Sequence, residues 1–400
     1  MPEPELTDAA LLQRFLPYLQ YDSLESFRSD SAAILPEYFF DDGSNQSYTN
    51  TLKRAGGSIV AAAHPKQGQK QLDLAFLGKS YPGGGTAAAT DYLDAAGRRY
   101  VEDARRLHAD ARYADRAYGY VVHEANGPTW LQYWFFYYYN DKNFLGAGLH
   151  EGDWEMIQLR MGREGVPNAA TFAQHRDGEA FNWSDLELRE SPDGPAPVVY
   201  VGRGSHASFA SAGEQWPMWP LPYPDYSDGK GPNVRPTLEV LSDGEPGWLV
   251  WPGKWGSSDS SPTGPAQKSQ WRNPTAFHVE AGGATRGRVR KRAKPTPTLP
   301  VPPAPDVSVE RVEDQAVIKY EFPKQLPPGA ARPERLVVSI DTLDDDVPPA
   351  SHAFTIRSTG TGVVAHPMRL ENKSYVVRTV AYSEDGVQSE VVETPLDPGG

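Results

Sequence analysis

The sequence predicts a mainly β protein: a large antiparallel β-sandwich with peripheral helices, followed by a small C-terminal β-sandwich. Three observations carry this. The 400 residues hold 37 Gly and 37 Pro, a turn-rich composition that excludes an all-α bundle. Segments such as Tyr133–Tyr139 and Asp153–Met161 have the length and residue types of strands. From Asp306 to Leu396 apolar residues alternate with period two between short turn signals.

Taken in order, the first element is a helix over Leu6–Leu19, with Thr7 or Asp8 as its cap. A second helix runs from about Asp91 to Ala109, after the breaker Pro82-Gly-Gly-Gly. It places Tyr92, Ala96, Tyr100, Ala104 and Leu107 on one face, a core stripe. Strands follow over Tyr118–Val122, Thr129–Tyr139, Asp153–Met161 and Val198–Val201. The row Tyr133-Trp-Phe-Phe-Tyr-Tyr-Tyr139 is aromatic on both faces, so its strand is central and buried on both sides. Glu214–Gly231 is an irregular, proline-rich loop carrying Trp216, Trp219, Tyr223 and Tyr226.

Residues 286–305 turn first basic and then Pro-rich, which marks an extended linker. The expected organisation is a large unit over 6–280, a basic and Pro-rich linker over 281–305, and a small sandwich over 306–396. In the last, the run from Tyr375 to Glu390 resembles the F–G hairpin of fibronectin type III domains. That resemblance implies a spacer or adhesion unit without chemistry of its own.

Composition removes several functions. A net charge of −13 opposes nucleic-acid binding, which needs cations to replace the counterions around phosphate. With no Cys, disulfide scaffolds, thiolate zinc sites, Fe–S clusters and Cys nucleophiles are all excluded. Apolar residues make up 39% of the chain, including 10 Trp, 20 Tyr and 14 Phe, enough for a sizeable core. The longest apolar runs, Tyr133–Tyr139 and Ser58–Ala63, fall far short of the ~18–20 residues of a membrane span. The opening Met1-Pro-Glu-Pro-Glu-Leu6 is acidic and reads as no signal peptide. The expected location is therefore cytoplasmic, or outside by a signal-independent route.

The chemistry concentrates in two places. Side chains alternate along a strand, so Asp153 and Glu155 share a face with Ile157, Leu159 and Met161. Two carboxylates then point inward side by side, which is costly unless a cation or a proton neutralises them. His150 lies just upstream, in the Gly-rich turn 146–152, and Asp141 ends the aromatic strand. Oxygen ligands with imidazole suit Ca²⁺ or Mg²⁺, with Mn²⁺ as a further option. A structural role, in which Asp153 caps a turn and Glu155 meets an Arg, is the competing reading. The second place is Val201-Gly-Arg-Gly-Ser-His-Ala-Ser-Phe209, where a Gly-flanked turn delivers His206 from a strand end. No Walker loop, dinucleotide fingerprint, H-E-x-x-H or G-x-S-x-G pattern is present.

These two motifs, Gly148-Leu-His-Glu-Gly-Asp-Trp-Glu155 and Gly204-Ser-His-Ala-Ser-Phe209, resemble the family named after vacuolar protein sorting-associated protein 62. The opening Phe15–Asp22 with Glu25, the segment Tyr92–Tyr118, the loop Asp228-Gly-Lys-Gly-Pro232 and Trp251–Gly256 resemble it too, over roughly residues 6–278. The stretch from Tyr133 to Glu155 is also similar to the necrosis- and ethylene-inducing proteins, β-sandwich cytolysins. Their histidine–aspartate–tryptophan–glutamate signature holds a divalent cation beside a glycolipid headgroup cavity. Carried onto this chain, the resemblance makes His150, Asp153, Glu155 and His206 metal ligands, together with the strand-end position, Asp141 with Asn140 as the alternative. The signature's second His is replaced by Gly152.

The leading expectation is a divalent-cation-dependent recognition module, of effector or toxin type, for a glycan or a glycolipid headgroup, with a membrane surface as a further partner. Trp216, Trp219, Tyr223, Asp228 and Arg203 are the candidate ligand-binding residues. The first alternative is a metal-dependent hydrolase in which a cation-activated water attacks and His206, with Asp153 and Glu155, does the acid–base work. The second is a structural interaction protein without catalysis.

Overall fold

The computed structural model describes residues 6–41, 47–78, 80–81, 85–96, 99–125, 127–142, 148–175, 177–215, 225–281, 300–342, 352–356, 360–366, 369–383 and 389–398. Eleven strands of the N-terminal unit matter for the site. They are β1 (Tyr18–Gln20), β2 (Arg116–His123), β3 (Thr129–Asn140), β4 (His150–Met161), β5 (Pro167–Gln174) and β6 (Asp177–Asn182). The rest are β7 (Leu188–Ser191), β8 (Gly194–Val201), β9 (Ser208–Phe209), β10 (Asn233–Val234) and β11 (Thr237–Val240).

One sheet runs β6-β5-β4-β3-β2-β11. The other runs β7-β8-β1-β10, with β9 paired to β8. Pairing is antiparallel except β2 with β11 and β1 with β8. A single hydrophobic cluster takes residues from both sheets, among them Tyr133 and Tyr137 of β3 and Val199 and Val201 of β8.

The aromatic strand is central, as its two-sided pattern requires. From Trp130 to Tyr139 its hydrophobic residues are at most 4% exposed. In its register with β4, Tyr137 lies opposite Asp153 and Phe135 opposite Glu155. The alternate residue Trp154 packs against Phe136, Trp248 and Trp255, with ring centroids 5.0, 5.9 and 5.3 Å away. One face of β4 is thus fixed by tryptophans, while the next residues on either side carry the acids.

The helices are shorter than expected. α1 spans Asp8–Arg14, capped by Thr7, whose Oγ1 accepts from the Ala10 amide. It stops ahead of Pro17, which disfavours helical geometry at the residue before it, and β1 follows. The expected helix from Asp91 is split. Tyr92–Asp94 is a strand paired with Thr51–Lys53, and only Tyr100–Ala109 (α2) is helical. The buried Lys53–Asp94 ion pair, 2.7 Å long, ties that strand to its partner. Strand pairing overrode the helical spacing of Tyr92 and Ala96 there.

The C-terminal strands form one sheet of Asp306–Val312, Gln315–Glu321 and Thr361–Ala365. The second holds His352–Ile356, Pro333–Thr342, Tyr375–Ser383 and Val392–Leu396. Ile318, Leu336, Val338 and Val377 share their core. Most of the expected linker, and the loop residues Trp216, Trp219 and Tyr223, lie outside the described residues. Tyr226 is buried in a short strand pairing with 213–215. Among the described residues no helix is long and apolar enough to cross a membrane.

The two parts touch. Arg378 of the C-terminal unit is 3% exposed, pairs with Glu393 at 2.7 Å, and lies over Tyr100 and Tyr139 at 4.7 and 5.3 Å. This covers the stacked Tyr100–Tyr139 pair at the end of the aromatic strand.

Gly152 supplies a direct test of how β4 is seated. Its φ is +58°, and an added Cβ would lie 2.0 Å from the Trp255 carbonyl oxygen. Gly152→Ala is expected to cost at least about 2 kcal/mol, read as a lower urea midpoint at unchanged m. A midpoint equal to the parent's would show that β4 and the Trp255 segment are not packed this closely.

Candidate functional site

The site is organised by the hairpin loop between β8 and β9. The loop closes on itself: the Gly202 amide donates to Ala207 O and the His206 amide to Gly202 O, both at 2.9 Å. Gly204 and His206 take left-handed backbone angles, φ +69° and +55°, costly for a histidine and held only where its surroundings demand it. Four consecutive residues then each engage a different acid. The Arg203 guanidinium donates twice to Asp22, at 2.8 and 2.9 Å. The Gly204 amide donates to Glu25 Oε2, at 2.6 Å. The Ser205 hydroxyl donates to Asp225 Oδ1. His206 Nδ1 meets Asp153 Oδ2 at 3.0 Å.

His206 is fully buried and stacks on Tyr137, centroids 4.1 Å apart and 6° from parallel. Its Nε2 is 3.6 Å from Glu25 Oε1, an ion-pair distance rather than a hydrogen bond. Burial alone disfavours the charged ring, but the Glu25 and Asp153 carboxylates outweigh it and push its pKa up to about 10. His206 is therefore an imidazolium at neutral pH. The same contacts hold Glu25 and Asp153 below the usual carboxylate range against their own burial. An imidazolium has no lone pair with which to serve as a general base.

Glu155 behaves differently. Burial, and then the Asp153 charge, push it up to about 8. It has no hydrogen-bond partner among the described residues, and it is 7% exposed. Lys268 lies nearby, its Nζ donating to the Trp154 carbonyl at 2.8 Å. Burial lowers the Lys268 pKa while Glu155 and Asp153 oppose that shift. The two carboxyls of one strand end thus differ in kind: Asp153 is ionised and paired, Glu155 protonated and unpartnered.

His150 completes the group. Its Nδ1 lies 2.9 Å from the Gly152 carbonyl. A carbonyl only accepts, so Nδ1 carries the proton and Nε2 the lone pair, the tautomer a metal ligand requires. Burial lowers its pKa and keeps the ring neutral.

These donors suit a hard divalent cation in type: two carboxyls, one of them unpartnered, and one neutral imidazole. Their ligand atoms are not clustered. Among the described residues, only Asp30, His108 and Asp115 bring three such atoms within 4.8 Å of one another. A cation shared by Asp153, Glu155 and His150 requires those side chains to close on it. His206 holds Asp153 in place instead of offering a ligand atom. Asp141 is buried beside the loop, its amide donating to Gly204 O at 3.2 Å. Its Oδ1 has no partner, and burial and Glu25 push its pKa up to about 7.

Arg203 and Asp228 differ from their expected ligand-binding role. Arg203 is 3% exposed and its guanidinium is occupied by Asp22. Asp228, also buried, accepts from the Ser23 amide and hydroxyl and from the Lys230 amide. Both fasten the loops around His206. The Gly152 substitution has a physical reason as well, because the Trp255 carbonyl occupies the space a side chain would need. Nothing local in the sequence marks the charge role of Glu25, Lys268 or the His175–Asp225 pair, 2.9 Å long. Only the fold brings them near β4, and no local spacing signals it.

Comparison with known proteins finds a similarity over the segment that holds most of this site. Residues 107–216 match the family model for vacuolar protein sorting-associated protein 62. That is narrower than the 6–278 expected from the motifs, but it holds Asp141, His150, Asp153, Glu155, Arg203 and His206. Vacuolar protein sorting-associated protein TDA6 of Saccharomyces cerevisiae is 29% identical over 194 residues, 38% of this chain and 41% of that protein. Vacuolar protein sorting-associated protein 62 of the same yeast is 28% identical over 193 residues, 38% and 40%. The match therefore spans about two fifths of those relatives. Among solved structures, NLPPya in complex with glucosamine is 11% identical with a TM-score of 0.27, covering 41% of this chain and 68% of that one. A structure titled as a toxin fold for microbial attack and plant defense is 14% identical with a TM-score of 0.32, covering 70% and 94%.

Removing the imidazolium strands two buried carboxylates. His206→Ala is expected to cost about 3–5 kcal/mol in urea unfolding; a loss below about 1 kcal/mol would contradict the ion bridge. The pH dependence has a definite sign. Glu155 binds its proton more tightly folded than unfolded, so its contribution falls as pH rises from 4.5 to about 8. His206 adds a second loss, from 6.5 to about 10. In cation-free buffer, melting temperature should decline across this range, and Glu155→Gln should flatten the part below about 8. A melting temperature rising with pH there would refute the assignment.

Proposed function

We propose that this chain, whose residues 107–216 match the Vps62 family model, is a divalent-cation-dependent recognition module for a carbohydrate or glycolipid headgroup. The observation that carries it is the pair of inward carboxyls on β4, with Asp153 pinned by His206 and Glu155 left without a partner. Asp153, Glu155 and the Nε2 of His150 would hold the cation. Ca²⁺ and Mg²⁺ suit this donor set best, and Mn²⁺ is the next choice. When bound, the cation supplies charge neutralisation and open positions for ligand hydroxyls. The carbohydrate class follows from the resemblance of the His150–Glu155 signature. Trp216, Trp219 and Tyr223 stay the candidates for stacking on the ligand. In the same reading residues 306–396 are a fibronectin type III-like unit reached through 281–305.

The chain's own residues do three things here. His206 keeps Asp153 ionised and oriented. Lys268 offsets charge beside Glu155. The Gly152 carbonyl fixes the His150 tautomer. Hydrolysis has less support, because His206 is held protonated.

Calorimetric titration with CaCl₂, MgCl₂ and MnCl₂ tests the reading. One of them should bind, and at a hundredfold excess over its Kd should raise stability by about 2.7 kcal/mol. Asp153→Asn and Glu155→Gln should each remove that gain. On glycan arrays and glycolipid liposomes, retention should require the cation and vanish in Asp153→Ala. No heat with any cation, or retention that ignores both cation and mutation, would overturn it and favour a purely structural protein.

A further inference from the structure

A cavity of about 270 Å³ opens where the C-terminal unit meets the N-terminal one. Its lining includes Ser26, Arg28, Arg105, His108, Glu25 and Glu390. In a chain of net charge −13, two arginines and a histidine around one small cavity are unexpected. Arg105 and His108 project from one face of α2, three residues apart. Arg28 comes from the segment after β1. It lies over the Tyr21 ring at 4.6 Å and has no ion-pair partner among the described residues.

The carboxylates around these side chains do not occupy them equally. Glu25 is spent inward, accepting from the Phe27 and Gly204 amides and facing His206. Asp30 takes one ring nitrogen of His108 at 2.9 Å, and that contact raises the imidazole's pKa above its ordinary value against the effect of burial. Glu390 belongs to the C-terminal unit. It reaches Arg105 at 3.8 Å, and both side chains are more than half exposed. An exposed ion pair of that length contributes little and is easily displaced.

We propose that this cleft binds a phosphomonoester, with Glu390 standing in for the ligand's anionic group on Arg105 until it arrives. Two guanidiniums give the forked donors that a phosphate dianion accepts best, with the His108 imidazole beside them. The cavity lies below the ~300–1,000 Å³ of pockets for drug-sized ligands, so it suits a headgroup-sized moiety. A lipid and a soluble molecule are the two sources of such a phosphate, and the test separates them. The site uses none of the residues proposed to hold the cation, Asp153, Glu155 and His150.

The test is calorimetry of the full chain with inorganic phosphate in cation-free buffer, alongside sedimentation with phosphatidylcholine vesicles with and without phosphatidic acid. Phosphate should bind at one site. Glu390→Gln should tighten it about threefold or more, and Arg105→Gln and Arg28→Gln should each weaken it about tenfold or more. Arg105 and Glu390 are exposed, so those two variants retain the fold, checked by unchanged melting. Vesicle retention that needs phosphatidic acid and Arg105 supports the site with a lipid source. Phosphate binding without vesicle retention supports it with a soluble source. No phosphate binding by Glu390→Gln up to about 10 mM, or an affinity indifferent to Arg28 and Arg105, overturns the proposal.

Discussion

Asp153 and Glu25 approach one imidazole from opposite sides, the first from β4 and the second from the segment after β1. His206 sits between them, fully buried and charged. Two carboxylates in such a place would be prohibitive alone, because burial penalises each ion by several kcal/mol. The imidazolium offsets both and bridges the two sheets. Its loop repeats the device with Arg203 on Asp22 and Ser205 on Asp225. The acidic residues that make the chain so negative overall are here the anchors of one six-residue turn.

That arrangement separates two jobs. The loop 202–207 fixes the acids that hold the fold together, and Glu155 is left over. Its neighbour Trp154 is locked among Phe136, Trp248 and Trp255, so β4 cannot rotate to relieve it. A partnerless buried carboxyl stays protonated or waits for a cation. The C-terminal unit adds a second layer: Arg378 closes over the Tyr100–Tyr139 stack next to Phe27 and His206. The His206 site and the appended sandwich are therefore in contact rather than merely tethered.

Much of this was legible in the residues. Period two placed Asp153 and Glu155 on one face, and the two-sided aromatic run marked β3 as central. The glycines around His206 marked a special turn. What stayed hidden depended on distant contacts. Tyr92–Asp94 has helical spacing but pairs as a strand, because Lys53 reaches Asp94. Arg203 and Asp228 look like ligand contacts until the fold shows each already bonded inside. Lys268 carries no local mark, since only the packing of its segment brings it to β4. The charge state of His206 is likewise a property of three separated segments meeting.

The charge bridge stands or falls with the protonation of His206 itself. Nitrogen-15 NMR of the full chain at pH 7, without added cation, should show both ring nitrogens of His206 protonated, and this should persist until the pH approaches about 10. A neutral ring with one bare nitrogen at pH 7 would mean that Asp153 and Glu25 are not held by an imidazolium and that no ion bridge joins the two sheets.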